Sequence, residues 1–341
     1  MADTSATPTP TPTAPAAAVS VAAGIVVGGC ALSDELFRRG LVNDRNMLSA
    51  SALVHHKNHE LLVETHEAFL AAGATHLVTG NYQVVPGRGF ETDEIREFTR
   101  VAGRLAREAR ERANKGSTVK ICGSLPPLTP SYRSDRTIDK TKGQATYLLI
   151  AEALWPFVDI YLVESTSSLA EAQLAYRSVH HLRKPVLVAF ALNSKGEQLR
   201  SGEDVVNAIQ RLVECADSIA QEEGSEVMLH GVLFNCSQPE DIAKGLHCVH
   251  RSETLQNLFS GRSIVLGAYG DRISTSSTAG KMEETLVSGA MHSALDMEIY
   301  REFVLRWIQC GALLVGGCCG IPPSYIEYIA QVVDQESAFH P

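Results

Sequence analysis

Short apolar runs recur along the chain, and between them lie stretches whose apolar positions repeat every three or four residues. The short runs read as buried strands at Ile25–Val27, His76–Thr79, Val119–Cys122, Asp159–Val163, Pro185–Ala191, Val227–Phe234, Ser263–Leu266 and Ala312–Val315. The intervening stretches carry helical grammar. Residues 59–72 place Leu62, His66 and Phe69 on one stripe and Glu60, Glu64 and Glu67 on another, and they stop at Gly73. Residues 93–113 repeat Ile95, Phe98, Val101, Leu105 and Ala109 behind a Thr92 cap. Capping boxes are expected to open three later helices, pairing Ser168 with Glu171, Ser201 with Asp204 and Ser237 with Glu240.

Eight strands alternating with helices predict a parallel sheet with right-handed crossovers, most simply a closed (β/α)8 barrel. An open doubly wound sheet is the alternative. The barrel is expected to fill residues 21–341 as one domain, with residues 1–20 as a disordered tail of Ala, Pro and Thr with almost no charge. The apolar stretch Ala16–Gly29 follows no basic region, runs into a glycine pair and is too short to span a bilayer, so it is read neither as a secretory signal nor as an anchor. Eight cysteines in such a chain point to a reducing, cytoplasmic setting and to free thiols or metal ligands. The net charge of −9, with no basic run to offset it, argues against nucleic acid or an anionic membrane as partner. Oligomeric state is not legible.

Chemistry concentrates at Gly316-Gly317-Cys318-Cys319-Gly320, where the last strand ends in a glycine turn. Neighbours on a strand point to opposite faces, so Cys318 and Cys319 reach one atom only if the backbone bends, and flanking glycines permit that. Zinc favours three protein ligands plus an open position in catalytic sites. The third thiol is expected to be Cys236, 82 residues before Cys318, where the sixth strand ends. In a barrel, active sites gather at the C-terminal strand ends, and the sixth and eighth strands are next-but-one neighbours. A helix begins after each thiol site, and helix N-termini favour thiolates. The other cysteines read as small buried apolar residues. His66 reads as a satisfied core histidine, and His55, His56 and His59 as a solvated loop cluster without metal. A vicinal dithiol redox role for Cys318 and Cys319 is the competing chemistry, disfavoured by the strained ring that adjacent cysteines form.

Together with Asn235-Cys236-Ser237, Thr79 with Tyr82-Gln83, Glu164 behind Asp159–Val163, the helix His66–Ala74 and Gly123-Ser124, the cysteine motif resembles the homocysteine S-methyltransferase family, in order from about residue 24 to residue 334. The resemblance implies a zinc-dependent methyltransferase on a (β/α)8 barrel, with metal on Cys236, Cys318 and Cys319. It also implies that Glu164 binds the substrate ammonium and that Gly28 and Gly29 approach the amino-acid carboxylate, while Thr79 and Gln83 lie at the second strand end, where an oxygen can occupy zinc's fourth position. The expected reaction carries a methyl group to homocysteine from a sulfonium, S-adenosylmethionine or S-methylmethionine, to form methionine. Betaine or a methylated folate as donor, or a zinc-binding thiol sensor without catalysis, are the alternatives.

Four features depart from the family pattern. Val27 stands where an acidic residue usually precedes the first glycine pair, which puts amino recognition more heavily on Glu164 or points to a thiol other than homocysteine. The loop Cys30–Leu36 is about two residues longer than usual. Asp271 stands where an asparagine is common, adding a charge. A proline-rich loop runs from Leu125 to Arg133, with Tyr132 and Arg133 as candidates to contact the donor. The Ser/Thr-rich, then amphipathic segment Gly270–Met291 has no assigned role.

Overall fold

Eight parallel strands close on themselves in sequence order: β1 Gly24–Val27, β2 His76–Val78, β3 Lys120–Leu125, β4 Ile160–Thr166, β5 Val186–Phe190, β6 Leu229–Asn235, β7 Val265–Gly270 and β8 Ala312–Gly317. The computed structural model of the protein describes residues 24–42, 47–128, 139–272 and 295–339. The expected tail, Tyr132, Arg133 and most of Gly270–Met291 lie outside these residues. Closure is made by β1 against β8, where Gly24 pairs with Leu314 and Val27 with Gly317.

From β1 the chain passes through α1 (Gly29–Arg38), α2 (Ser51–Val54) and α3 (His59–Ala71) to reach β2. Helices α4 (Thr92–Arg112), α5 (Lys140–Leu154), α6 (Leu169–Val179) and α7 (Val205–Glu223) each carry one later crossover. Next come α8 (Pro239–Arg251) and α9 (Glu253–Ser260) before β7, with α10 (Met297–Gln309) and α11 (Pro323–Phe339) on either side of β8. This is a (β/α)8 barrel. No helix among the described residues is long and apolar enough to cross a membrane.

The strand alternation divides the core in two. Val26, Val78, Ile160, Leu162, Leu187 and Leu233 pack inside the barrel, while their neighbours Ile25, Val27, Leu77, Tyr161, Val163 and Val186 pack outward against the helices. Val27 therefore faces away from the barrel interior.

Five strands run further than the apolar runs predict: β3 passes Cys122 to end at Leu125, β4 passes Val163 to Thr166, β6 passes Phe234 to Asn235, β7 passes Leu266 to Gly270 and β8 passes Val315 to Gly317. In β3 and β7 the added residues include glycines. A Cβ at Gly267 would lie 2.7 Å from Leu233 Cγ, and one at Gly123 would lie 3.1 Å from Leu154 Cδ1. These glycines are strand residues at close approaches, not turn markers.

Several helix starts also differ from expectation. Glu91, not Thr92, caps α4, in a reciprocal box with Glu94. Ser168 caps α6 as expected, but the Glu171 carboxylate returns to the Ser167 N–H. Asp204 is itself the cap of α7, accepting from the Asn207 N–H, and Ser201 Oγ instead bonds Glu203. Ser237 does not cap α8: it accepts from the Leu192 N–H and donates to the Asn235 carbonyl, and Gln238 precedes the helix. The segment read as a long loop, Cys30–Leu36, is the body of α1.

His66 lies on the buried stripe of α3, as its spacing implies, yet it is not satisfied: neither ring nitrogen has a hydrogen-bond partner. Burial depresses its pKa to about 3. The folded-state value lies below the unfolded one, so the unfolded chain takes the proton first. Stability is then fully present above about pH 6.5 and is lost as pH falls toward 3. Replacing the imidazole by an apolar side chain removes this loss. In urea unfolding, the stability advantage of His66→Leu over the wild type should widen on acidification below about pH 6.5, approaching roughly 1.4 kcal/mol per pH unit. A gap that stays constant between pH 7.5 and 5 would show that the buried ring finds a proton-stabilising partner.

Candidate metal centre

A barrel strand delivers every second side chain to the interior, and that phase sets the site. In β4, Ile160 and Leu162 lead inward to Glu164; in β8, Leu314 leads past Gly316 to Cys318; in β7, Val265 leads past Gly267 to Tyr269. The next step beyond Tyr269 is Asp271. β6 places Leu233 inside and ends on Asn235, so Cys236 is out of phase. A left-handed backbone at Cys236, φ +45°, turns its side chain back into the interior cluster.

The three thiols converge. Cys236 Sγ and Cys318 Sγ stand 2.8 Å apart, and the ligand atoms of Cys236, Asp271, Cys318 and Cys319 all lie within 4.8 Å of one another. All four residues are buried. In this motif the left-handed backbone falls at Gly320, φ +78°, just past the paired cysteines, not at the preceding glycines. Gly316 and Gly317 serve packing: a Cβ on the first would overlap the Val26 carbonyl oxygen, and one on the second would overlap Ile321. The turn is gripped through its amides. Cys318 N–H donates to the Gly270 carbonyl at 2.8 Å, Cys319 N–H to Asp271 Oδ1 at 3.1 Å and Gly320 N–H to Asp34 Oδ2.

This donor set fits a zinc ion. Sulfur–sulfur separations around a tetrahedral ion with bonds of about 2.3 Å are roughly 3.8 Å; the four ligand atoms, all within 4.8 Å of one another, are on that scale, while Cys236 Sγ and Cys318 Sγ at 2.8 Å stand closer than an ion would hold them. The second oxygen of Asp271, Oδ2, is buried and has no hydrogen-bond partner. Burial, and then the nearby Cys236, push its carboxyl pKa well up. A cation among these groups would relieve both the orphaned oxygen and the crowding of acidic groups.

Glu164 is fully buried at the mouth of β4, where Oε1 accepts from Ser124 Oγ at 2.6 Å and Oε2 from the Gly29 N–H at 3.1 Å. Burial raises its pKa to about 7 against the pull of those two donors. The Gly29 amide is thus committed to Glu164, and the Gly28 amide to the Gly317 carbonyl at 3.0 Å. The bareness of Gly28 makes room for its neighbours. A Cβ there would lie 2.8 Å from the Tyr269 ring and 3.3 Å from Cys318 Sγ.

Thr79 is tied into the barrel rim: its hydroxyl donates to Asn81 Oδ1 at 2.6 Å and accepts from the Ser124 N–H at 2.9 Å. Gln83 Oε1 accepts from Arg88 Nε at 3.0 Å. His55 and His56 are exposed, and His59 bonds the Leu53 carbonyl oxygen at 2.9 Å. Among the described residues, the only cluster suited to a metal is the one at Cys236.

Four residues at the site went unassigned, or only partly assigned, from sequence. Asp271 was read as a charged stand-in for an asparagine, although it ends β7 just as the thiols end β6 and β8. Asn235 was read only as a motif neighbour of Cys236. Ser165 and Tyr269 carried no signal beyond their places at strand ends. Tyr269 is fully buried, and its hydroxyl is without a hydrogen-bond partner.

The family described as homocysteine S-methyltransferase matches this chain over residues 25–333. A homocysteine S-methyltransferase of Zea mays is 25% identical over 339 residues, covering 90% of this chain and 95% of the relative. A selenocysteine methyltransferase of Astragalus bisulcatus is 26% identical over 345 residues, covering 91% and 92%. The crystal structure of the homocysteine methyltransferase MmuM from Escherichia coli, in its metallated form, superposes with a TM-score of 0.67 at 22% identity, over 89% of this chain and 94% of that one.

The backbone at Gly28, φ −66°, suits any residue, so a substitution there acts through space alone. Gly28→Ala should destabilise by about 1–3 kcal/mol through overpacking against Tyr269. The double variant with Tyr269→Leu should recover roughly 1 kcal/mol or more relative to additivity. Urea midpoints of the four proteins measure the coupling, and strict additivity would mean the ring and the glycine are not in contact.

Proposed function

The chain belongs to the homocysteine S-methyltransferase family, and from that premise we propose that it is a zinc-dependent enzyme transferring a methyl group from a sulfonium donor to the sulfur of homocysteine. The observation that carries the metal reading is the convergence of Cys236, Cys318, Cys319 and Asp271 on one buried point. The three cysteines are the proposed permanent ligands. Asp271, through its unpartnered oxygen, is the group suited to the remaining position before a substrate thiol arrives. When bound, zinc would supply Lewis acidity that keeps a thiol, with a free pKa near about 8.5, deprotonated at neutral pH.

The chain's own residues do the rest. Glu164 presents a carboxylate at the mouth of β4, held in place by Ser124 and the Gly29 amide, and a substrate ammonium beside it would complete a charge-assisted pair. With Val27 turned outward among the helices, Glu164 is the acidic group placed to do this. Glycine at position 28 lets the Tyr269 ring and Cys318 Sγ close in on the backbone there.

A cationic donor suits a pocket rich in acidic groups. In the transfer, the homocysteine thiol gives up its proton to solvent and its sulfur forms the new bond to methyl carbon, while the old carbon–sulfur pair stays on the donor. A sulfonium leaves as a neutral thioether, so no general acid is needed. A methylated folate would require one. None of the described cysteines is in a disulfide, which suits a reducing compartment such as the cytoplasm.

Purified, reduced protein should contain about one zinc per chain and form methionine from homocysteine with S-adenosylmethionine or S-methylmethionine. Cys236→Ala and Cys318→Ala should lose both metal and turnover. Betaine and a methylated folate serve as the competing arms, and turnover on either one alone would replace the sulfonium assignment. Absence of zinc from the active protein would overturn the metal reading. Glu164→Gln should retain zinc while raising KM for homocysteine by tenfold or more, given about 1.5–3 kcal/mol for a hydrogen bond to a charged group. An unchanged KM would remove Glu164 from amino recognition.

A further inference from the structure

Two pairs of consecutive residues at the barrel mouth depart from strand alternation, and they face each other. Ser165 follows Glu164 with φ +55°, and Cys236 follows Asn235 with φ +45°. Both are non-glycine residues in the left-handed region, a conformation that persists only where surrounding contacts enforce it. Asn235 supplies those contacts. Its Oδ1 accepts from the Ser165 N–H at 3.1 Å, while its Nδ2 donates to Ser165 Oγ at 2.8 Å and to Cys236 Sγ at 3.4 Å. The Ser165 hydroxyl, having accepted from Asn235, donates to Cys236 Sγ at 3.1 Å. Ser165, Asn235 and Cys236 are all fully buried.

We propose that Asn235 and Ser165 form a clasp that aims the Cys236 sulfur at the shared ligand point and limits how much charge that sulfur gives to a bound ion. Both are positioning residues for the metal centre, and the inference rests on reading the thiols as its ligands. Two donors on one sulfur draw electron density from it, so an ion held there stays a stronger acceptor for a fourth ligand. The same two bonds fix the sulfur's direction before the ion arrives. A role confined to joining β4 and β6 would need only the bonds between Asn235 and Ser165, with no donor turned toward sulfur.

The test uses the full-length protein loaded with cobalt(II), whose sulfur-to-metal charge-transfer absorption reports the donor strength of the thiolates, and chelator competition for metal affinity. In Ser165→Ala the absorption should move to lower energy as the sulfur becomes a stronger donor, and, because its preset direction is lost, affinity should fall by about tenfold to a hundredfold, the usual effect of losing an outer-shell partner. Thr166→Val is the control: Thr166 Oγ1 donates to the Ala189 carbonyl at 3.0 Å, a purely structural bond, so the variant should keep the wild-type band. Ser165→Gly, which drops the hydroxyl and relaxes the left-handed backbone, gives the same readout should the alanine variant fold poorly. A Ser165 variant that binds cobalt with unchanged band and affinity overturns the clasp and leaves the metal reading intact. A wild-type protein that shows no thiolate charge transfer with cobalt overturns both.

Discussion

A barrel strand gives the interior only every second side chain, and this site needs consecutive ones. Each strand end meets that constraint by leaving the regular ladder just where chemistry begins. β4 supplies Glu164 in phase and Ser165 through a left-handed residue, and β6 supplies Asn235 in phase and Cys236 in the same way. β8 supplies Cys318 in phase and, past the strand's end, Cys319 in the turn that Gly320 closes. Such backbone costs energy locally, on the order of 1–3 kcal/mol per residue. It persists because each strand is pinned on both sides by the closed register and because side-chain hydrogen bonds tie the strand ends to one another.

Desolvation is the second constraint. The site gathers three thiols and the carboxyls of Asp271 and Glu164 in a buried space, and burial pushes both carboxyl pKa values up. Backbone amides and hydroxyls oppose that push: Gly29 and Ser124 at Glu164, Cys319 at Asp271. A bound cation and a cationic donor would complete the balance, and this is the physical sense in which the metal reading and the sulfonium reading support each other. The network also explains why Thr79 and Asn81 matter without touching sulfur: they hold the Ser124 backbone that presents its hydroxyl to Glu164.

Much of this was legible in the residues. Each of the eight strands overlaps the apolar run that predicts it, and the closed barrel follows from their alternation with helices. Some of the differences fall at positions where one residue type serves two purposes. Gly123 and Gly267 lie just past the apolar runs that predict β3 and β7, and they are close-packed strand positions. Ser201 and Ser237 had the spacing of capping residues, but their hydroxyls are taken by Glu203 in one case and by Asn235 and Leu192 in the other. His66 was legible as buried by its helical phase, whereas its lack of partners depends on what packs around it.

By itself the sequence determined the period of each segment, the strand order and the presence of paired thiols at a strand end, because these depend on neighbours a few residues away. Which side chains share one point was decided by the tertiary structure alone. Cys236 faces inward against its strand phase because Asn235 and Ser165, separated by 70 residues, hold it there. Asp271 joins the thiols because β7 lies between β6 and β8 and ends at the same height. No local pattern encodes either fact, since a left-handed residue and an orphaned carboxylate oxygen exist only once the barrel has closed around them.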